Sequence, residues 1–448
     1  MLRVKKYDVV VIGGGVGGYY SARALKRGGK SVALIEKDKL GGTALRWGAL
    51  PVKKILDSFK GIKKDNYTQI KEIRKNLVTK WNDDLKKLEK KMNDNLLKDN
   101  IDIYWANGEF IDSKRFKLTD KIIEAEYFII ATGTRPASIK DIPIDGVNII
   151  THREAIDLSN MPKSIVILGG NVEGVEFAAL YAEMGIEVTL IEKENNILIG
   201  NDEDLVLPIE EYLKRKGVKI IKGVGAKSAE IDNYGVKILL DDEGFVSGEK
   251  ALVTLMRVPN FPKGIENTKI KISKDRIIVN ENLLTDEENV FAIGDINGIL
   301  GMAHVAIQQG VQVADYILKD IPIDISYEIL PRAVFTLPEM AGVGNQEWEL
   351  RRDNIPYKLG ISMFKDSWRG WAKNIEEGFV KVIIGEDNKI LGIWMIGENV
   401  SEHIGLMGYL IKEGKTVDEI LSNLVIHPTL TETILEALLQ SKYKKVIQ

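Results

Sequence analysis

The sequence predicts an α/β fold with two Rossmann-like dinucleotide-binding domains followed by a C-terminal α+β domain. An apolar strand, a glycine-rich turn, a helix, a second strand and a glutamate occur in this order twice in the 448 residues. The first glycine and the glutamate are 23 positions apart in both copies, Gly13 to Glu36 and Gly169 to Glu192. The last third has strand-like runs and two helices, near 402–413 and 431–441, but no such turn. Equal spacing in two places indicates a duplicated βαβ unit.

In the first unit, Gly13, Gly15 and Gly18 occupy the three special positions of the G-x-G-x-x-G pattern. The first glycine allows a tight turn, the second lets the backbone approach a pyrophosphate, and the third lets the helix pack on the strand. The N-terminus of the helix offers unpaired N–H groups to the phosphates. Glu36 ends the second strand, where its carboxylate would accept hydrogen bonds from ribose hydroxyls and repel a 2′-phosphate.

Composition excludes several other classes of function. The net charge of −3 provides no basic field for nucleic acid, and no apolar run approaches the ~20 residues that cross a membrane. We therefore expect a cytoplasmic protein that binds neither nucleic acid nor membrane. The four histidines have no metal-ligand spacing, so no metal site is expected. The chain has no cysteine, which excludes disulfides and thiolate nucleophiles.

A second segment indicates the ligand of the first unit. Residues 285–295 read T-D-E-E-N-V-F-A-I-G-D, so that a strand ends in Gly294 and Asp295, where a carboxylate can bind a polyhydroxyl chain. This pattern and Ala131-Thr132-Gly133 resemble the flavin motifs of the flavoprotein pyridine nucleotide-disulfide oxidoreductases. The closest resemblance is to dihydrolipoamide dehydrogenase, and it covers essentially the whole chain. Further markers of that family occur in order, namely Gly41-Gly42-Thr43, Arg257 to Asn260, Ala303-His304, Phe335 to Glu339 and His427 to Glu432.

The resemblance implies bound FAD, a homodimer and a division of the chain into three domains. The FAD-binding domain would comprise 1–150, with a helical insert at about 52–99, and a return segment at 276–330. The NAD-type domain would comprise 151–275 and the dimerisation domain 331–448. The residues expected to bind FAD are Gly13, Gly15, Gly18, Glu36, Gly42, Thr43, Thr132, Gly133, Asp295 and Ala303.

The chain departs from this family where the family carries its redox-active disulfide. The family has C-x4-C in this segment, followed four residues later by a lysine, whereas this chain has Ala44, Ala49 and then Lys53. Because a thiolate attacks the substrate disulfide and passes electrons on from flavin, alanine can do neither. Disulfide reduction by the family's route is excluded. Engineered removal and natural loss both remain open, and other departures such as Val425 in place of a histidine favour natural loss.

The second unit retains Gly169, Gly174 and Glu192, but Asn171 replaces its middle glycine and Glu173 precedes its last one. Asparagine tolerates left-handed backbone angles, yet its side chain fills space that a pyrophosphate would need. A carboxylate in the first helical turn is favoured by the helix dipole by about 0.3–1 kcal/mol, so Glu173 competes with phosphate for that position. NADH binding is either weakened or lost, and Glu192 would favour NAD over NADP.

Two pairs of residues bear on whether chemistry is retained. By resemblance, Lys53 and Glu176 form an ion pair beside the flavin, where a lysine stabilises the negative charge of reduced flavin. Alternatively the pair persists because removing one partner would strand the other, at a cost of about 3–5 kcal/mol. His427 and Glu432 resemble the family's proton-exchanging dyad. Without a thiol they would act either as interface packing or as a proton donor to another acceptor.

These observations support two functional hypotheses. In the first, the chain is an FAD-dependent enzyme that takes hydride from NADH and passes electrons directly to a small acceptor such as a quinone, a dye or dioxygen. In the second, it is a silent FAD-binding dimer that acts as a binding or scaffold partner. A dihydrolipoamide dehydrogenase with an engineered dead site is a third possibility. Lys53, Glu176 and the His427–Glu432 pair favour the enzyme, which is the hypothesis we prefer.

Overall fold

A computed structural model describes residues 3–60, 67–444 and 447. The strands are β1 (Arg3–Ile12), β2 (Val32–Glu36), β3 (Asp102–Trp105), β4 (Glu109–Asp112), β5 (Arg115–Lys117), β6 (Lys121–Ile130), β7 (Thr134–Pro136), β8 (Ile149–Ile150), β9 (Ser164–Leu168), β10 (Glu187–Glu192), β11 (Lys219–Lys222), β12 (Ala226–Asp232), β13 (Gly235–Leu240), β14 (Phe245–Gly248), β15 (Lys250–Val253), β16 (Arg257–Pro259), β17 (Val290–Ala292), β18 (Arg332–Val334), β19 (Glu339–Gly344), β20 (Tyr357–Met363), β21 (Phe379–Gly385) and β22 (Ile390–Gly397).

The α-helices are α1 (Val16–Arg27), α2 (Gly42–Arg46), α3 (Ala49–Asp57), α4 (Tyr67–Lys98), α5 (His152–Ala155), α6 (Val172–Glu183), α7 (Glu203–Arg215), α8 (Ala303–Lys319), α9 (Glu347–Arg352), α10 (Trp368–Lys373), α11 (Ser401–Lys412), α12 (Val417–Leu421) and α13 (Glu432–Lys442). The helical insert expected at about 52–99 is formed by α3 and α4, and residues 61–66 between them lie outside the described residues.

The chain forms two compact units, of which the first comprises residues 1–54, 73–161 and 255–325. Its sheet has the strand order β3-β2-β1-β6-β5-β4, with β17 also paired to β6. Strands β1, β2, β3, β6 and β17 run parallel, and Val9, Val10 and Val11 at the centre of β1 are fully buried. Near-continuous apolar runs are typical of parallel strands covered on both faces. This unit therefore has the predicted Rossmann-like form, and the glycine turn follows directly after its central strand.

Helices α1 and α8 pack closely against each other in the first unit. A Cβ atom added to Gly310 would lie 2.6 Å from the carbonyl oxygen of Gly17, and one added to Gly17 would lie 3.0 Å from that of Ala306. Such distances leave no room for a side chain at either glycine. The close approach fixes α8, which begins at Ala303, alongside the first turn of α1.

The second unit comprises residues 55–72, 162–254 and 326–448, and its described residues form three sheets. The first sheet has parallel strands in the order β11-β10-β9-β15, with α6 following β9 as α1 follows β1. The second is the antiparallel sheet β12-β13-β14. The third is the antiparallel sheet β18-β19-β22-β21-β20, and its core includes residues from α11, α12 and α13. The helices predicted near 402–413 and 431–441 correspond to α11 and α13, so the α+β prediction for the last third is confirmed.

A buried lysine joins distant parts of the second unit. The side chain of Lys381 on β21 has no exposed surface, and its ammonium lies 2.8 Å from Asp202, 2.7 Å from Asp204 and 3.2 Å from Glu347. These carboxylates are close enough to one another to ligate a metal ion, but all three already contact the Lys381 ammonium. The positive charge at the centre of this cluster is therefore supplied by the chain itself.

Candidate functional site

The first glycine turn has the geometry of a phosphate cradle. Gly13 has a φ of +109°, which a residue with a side chain rarely adopts, and a Cβ added to Gly18 would lie 2.0 Å from the Gly13 carbonyl oxygen. The backbone N–H of Gly14 donates to the Glu36 carboxylate at 2.7 Å. Gly15 is the N-cap residue of α1, and no side chain among the described residues caps it. The first N–H groups of α1 are therefore available to an anion.

A polar cluster in the same unit joins two more of the residues expected to bind FAD, Asp295 and Thr43. The Thr134 hydroxyl donates to Asp295 at 3.0 Å and accepts from Arg257 Nε at 2.8 Å. Arg257 Nη2 also donates to the Thr43 hydroxyl at 3.4 Å. Arg257 was expected only as part of a family marker, and the structure adds it, with Thr134, to the candidate site. Its position in that marker was the available signal.

The residues present fit a bound FAD. The hydroxyl oxygen of Thr132 is buried and has no hydrogen-bond partner among the described residues. Such a group costs free energy unless a ligand or water satisfies it. A Cβ on Gly42 would lie 2.9 Å from the Gly15 Cα, whereas one on Gly133 would meet no atom of the described residues within 4 Å. The buried hydroxyl and the open glycine turns together match a polar ligand that follows this edge of the sheet.

The second glycine turn reproduces the first in detail. Gly169 has a φ of +110°, and a Cβ on Gly174 would lie 1.8 Å from the Gly169 carbonyl oxygen. The N–H of Gly170 donates to Glu192 at 2.5 Å, and the other oxygen of that carboxylate accepts from Glu194 N–H at 2.9 Å. The duplication predicted from the spacing is therefore present at the level of individual hydrogen bonds. That Glu192 would bind the ribose of NAD remains a prediction, as it does for Glu36 and FAD.

Asn171 does not use the left-handed backbone angles that asparagine tolerates. Its backbone is extended, with φ −73° and ψ −178°, close to the φ of −67° and ψ of 179° at Gly15. Asparagine is accommodated because this position of the turn needs no positive φ. Its side-chain oxygen accepts from Gly174 N–H at 3.0 Å, and its side-chain nitrogen donates to the Thr254 carbonyl at 2.7 Å. Asn171 thus caps α6, and its side chain occupies one of the N–H groups that a phosphate would use.

Glu173 lies in the first turn of α6, as the sequence indicated, and is half-buried. An acidic residue in the first turn, together with the Asn171 cap, disfavours a phosphate at the positive end of the helix dipole. The first unit has no acidic residue in the first turn of α1. The two glycine turns therefore share one backbone geometry, but among the described residues the helix N-terminus is uncapped in the first and capped in the second.

The positions of the family's two cysteines are occupied by half-buried alanines, Ala44 in α2 and Ala49 at the start of α3. Between them, the backbone N–H groups of Trp47 and Gly48 both donate to the Thr43 carbonyl, at 3.1 and 2.8 Å. The short helix therefore persists without a covalent bridge, and neither position offers a sulfur atom.

Lys53 lies in α3 of the first unit, and Glu176 lies in α6 of the second. The Glu176 carboxylate is 7% exposed and accepts a hydrogen bond from Phe335 N–H at 3.0 Å. This bond orients one carboxylate oxygen in a buried setting. The ion pair between Lys53 and Glu176 stays a prediction.

The predicted contact between His427 and Glu432 is present. His427 Nδ1 lies 2.7 Å from a Glu432 oxygen, and the other oxygen accepts from Thr429 N–H at 2.7 Å. The Thr429 N–H and the His427 ring lower the pKa of the Glu432 carboxyl. An ionised glutamate fixes the tautomer with hydrogen on Nδ1 and leaves Nε2 to exchange a proton. The His427 side chain is 62% exposed, so it is accessible in the single chain.

Comparisons with known proteins define the class. Residues 7–310 match the family model of the pyridine nucleotide-disulphide oxidoreductases, and residues 330–438 match the dimerisation domain of the same family. The chain therefore belongs to the pyridine nucleotide-disulphide oxidoreductase family. Dihydrolipoyl dehydrogenase of Bacillus subtilis is 31% identical over 476 residues, with 98% of this chain and 99% of the relative covered.

Two further comparisons agree with this assignment. The soluble pyridine nucleotide transhydrogenase of Mycobacterium bovis is 26% identical over 455 residues, covering 97% of both chains. The crystal structure of LpdA from Mycobacterium tuberculosis superposes with a TM-score of 0.88 at 25% identity, covering 97% of this chain and 99% of the other. The predicted fold and family are confirmed, and the family's dimerisation domain indicates a homodimer. None of the described helices has the length and apolarity to span a bilayer.

Proposed function

We propose that this chain is an FAD-dependent oxidoreductase that takes hydride from NADH and passes the electrons directly to a small acceptor, such as a quinone, a dye or dioxygen. The observation that carries the proposal is the second glycine turn. It keeps the backbone geometry of the first and the hydrogen bond from Gly170 N–H to Glu192. Membership of an FAD-dependent family supplies the cofactor, and the absence of cysteine removes the disulfide step.

The residues proposed to hold FAD lie in the first unit. The first turn of α1 would bind the pyrophosphate through its N–H groups, and Glu36 would accept from the ribose. Asp295, oriented by Thr134, would bind the ribityl chain, and Thr132, Arg257 and Thr43 would complete the polar surroundings. When bound, FAD accepts two electrons from a nicotinamide and releases them to a second acceptor.

Lys53 and the His427–Glu432 pair are proposed to assist the transfer of electrons and protons to the acceptor without a thiol. A cationic Lys53 would stabilise the negative charge that reduction places on the flavin, and Glu176 would hold the lysine in position. His427, with Nδ1 bound to Glu432, would take up a proton from solvent at Nε2 and pass it to the reduced acceptor. The net reaction, NADH + H⁺ + quinone giving NAD⁺ + hydroquinone, balances without any dithiol.

We propose that NADH binds more weakly than at an uncapped turn, with Glu192 favouring NAD over NADP. The name of the Mycobacterium bovis relative describes hydride exchange between pyridine nucleotides, a reaction that balances without a dithiol.

The alternative function, a silent FAD-binding dimer with a binding or scaffold role, is favoured by the Asn171 cap, which occupies a phosphate-binding N–H group. A cytoplasmic location and the identity of the acceptor remain predictions.

An anaerobic titration of the FAD-loaded protein with NADH separates these two functions. The enzyme predicts that the visible flavin absorbance bleaches with about one equivalent of bound NADH, because hydride transfer moves two electrons to one flavin. Dithionite provides the matched control, since it reduces flavin without a nicotinamide site. Bleaching by dithionite but not by saturating NADH would contradict the enzyme and support the silent dimer.

Replacing Asn171 by glycine is expected to tighten NADH binding. The change frees the Gly174 N–H for phosphate, and glycine at an N-cap costs a helix only a few tenths of a kcal/mol. We expect the dissociation constant of NADH to fall about fivefold, as one freed hydrogen bond would produce. The constant is measured by flavin reduction or by calorimetry.

Ser367→Gly is the matched control, because Ser367 caps α10 through Gly370 N–H in the same manner but lies outside the glycine turn. An unchanged NADH dissociation constant in Asn171→Gly would show that the cap does not limit binding.

A further inference from the structure

The segment between Ala44 and Ala49 carries an arrangement of charges that the disulfide chemistry of the family does not require. The Arg46 guanidinium lies 4.8 Å from the centroid of the Trp47 ring, and the Arg153 guanidinium lies 4.3 Å from it. All three residues belong to the first unit. Two cations thus lie close to a single indole, and that indole belongs to the segment where the family resemblance places the redox-active cysteines.

The positive charge in this cluster is poorly compensated. Within the described ranges, the only carboxylate oxygen found within 4.0 Å of either guanidinium is that of Asp38, at 4.0 Å from Arg46 Nη1. The Nη1 atom of Arg46 is also buried and has no hydrogen-bond partner among the described residues. An indole face attracts a guanidinium but leaves the N–H groups at its edge unsatisfied. The cluster therefore has unused donors as well as unpaired charge.

The cluster is both accessible and close to the residues proposed to hold FAD. Arg153 is exposed, and Trp47, Ala44 and Ala49 are half-buried, so solvent reaches the segment. The Trp47 backbone N–H donates to the carbonyl of Thr43, and the Thr43 hydroxyl accepts from Arg257 in the polar cluster around Asp295. Trp47 is thus one helical turn away from a residue of the proposed cofactor site.

We propose that Arg153 and Arg46, together with Trp47, form the binding site for the electron acceptor and select a planar, negatively charged one of the quinone class. The guanidinium edges would pair with the anionic group, while the flat face of the exposed Arg153 guanidinium would stack on the acceptor ring. The acceptor gains two electrons from the reduced cofactor and two protons, and its two carbonyl groups become hydroxyls. This inference rests on the proposed function and names the substrate class of that site.

The test compares an anionic and an uncharged acceptor on protein whose flavin has been reduced by light with EDTA as the electron donor, so that NADH binding plays no part. The reduced protein is mixed anaerobically with a naphthoquinone sulfonate or with uncharged naphthoquinone, and the return of flavin absorbance gives a second-order rate constant. Arg153→Gln should lower the constant for the sulfonate about fivefold by removing one charge from the contact, and leave the uncharged acceptor unchanged. Arg153→Lys, which keeps the charge, should retain most of the preference, and added salt should weaken it in the unmodified protein.

Arg115→Gln is the matched control, because Arg115 is an exposed arginine of the same unit that pairs with Asp112. Calorimetric binding of naphthalene sulfonate to the oxidised protein gives a readout independent of turnover, and Arg153→Gln should weaken it by a similar factor. An unchanged sulfonate rate in Arg153→Gln, or equal slowing of both acceptors, would overturn the inference. If NADH bleaches the flavin but Arg153→Gln changes the rate constants of both acceptors by the same factor, the acceptor site is contradicted and the proposed function stands.

Discussion

Replacing Gly18 by alanine is expected to yield a protein that retains no FAD. The added Cβ would lie 2.0 Å from the Gly13 carbonyl oxygen and 3.1 Å from the Val11 side chain, so the turn and α1 cannot keep their positions. Neither neighbour can yield easily, since one is backbone and the other belongs to the buried central strand. The flavin content of the purified protein, measured by absorbance against protein concentration, reports the loss.

Gly15→Ala separates loss of the cofactor from loss of the fold. The backbone at Gly15 is extended, and a Cβ there would meet only the Gly42 Cα at 3.9 Å, so the chain itself tolerates alanine. A bound pyrophosphate would nevertheless meet this Cβ. We expect Gly15→Ala to unfold at the temperature of the unmodified chain when both are free of cofactor, but to bind FAD at least about tenfold more weakly. Full FAD occupancy in both variants would contradict the assignment of this turn.

Replacing Lys381 by methionine is expected to destabilise the second unit by about 3–5 kcal/mol, since its removal leaves buried carboxylates without a counter-charge. Burial by itself lowers the pKa of Lys381, but its contacts with Asp204 and Asp202 outweigh burial and raise that pKa. Because the pKa is raised in the folded protein, this stabilisation is complete at neutral pH and is lost only as the pH rises through the folded value. Denaturant unfolding at neutral pH measures the change.

Lys389→Met is the matched control for this prediction. Lys389 pairs with Asp387 at 3.2 Å, but half of its side chain is exposed, so its removal should change stability by no more than about 0.5 kcal/mol. A loss of similar size in both variants would show that the buried cluster has no special role in the stability of this unit.

Features that depend on local periodicity or on fixed spacing were predictable from the sequence. The duplicated unit, the hydrogen bonds from Gly14 to Glu36 and from Gly170 to Glu192, and the contact of His427 with Glu432 all join residues that the motifs already associate. In the two glycine turns, the helix and strand between the partners fix their separation, whereas His427 and Glu432 are close neighbours in the chain. The elements of the site were therefore predictable from the sequence.

Contacts between residues far apart in the chain were not predictable. Arg153 stacks on Trp47 from more than a hundred positions away, and Lys381 meets Asp202 and Glu347 from two other segments. Asn171 shows a second limit. The residue type indicated an obstructed turn, but only the backbone angles show that it caps α6 from an extended conformation. Side-chain rotamers and long-range packing set these features, and neither follows from spacing.

Under the proposed function, the absence of cysteine decides how electrons would leave the flavin. A disulfide in the α2–α3 segment would carry them onward as the family resemblance implies. Here those positions are alanines, and Trp47 of this segment lies close to the guanidinium groups of Arg46 and Arg153. If the chain turns over, the acceptor itself must approach the flavin, and its ionic character should then decide how fast it reacts.

The most direct test of this account is a single anaerobic sequence in which the FAD-loaded protein is first mixed with NADH and then with either a naphthoquinone sulfonate or oxidised lipoamide. The account predicts that NADH bleaches the flavin absorbance, that the quinone restores it, and that lipoamide does not, because no residue of the chain can form a mixed disulfide. Recovery of the absorbance with lipoamide, or no bleaching by NADH at all, would contradict it.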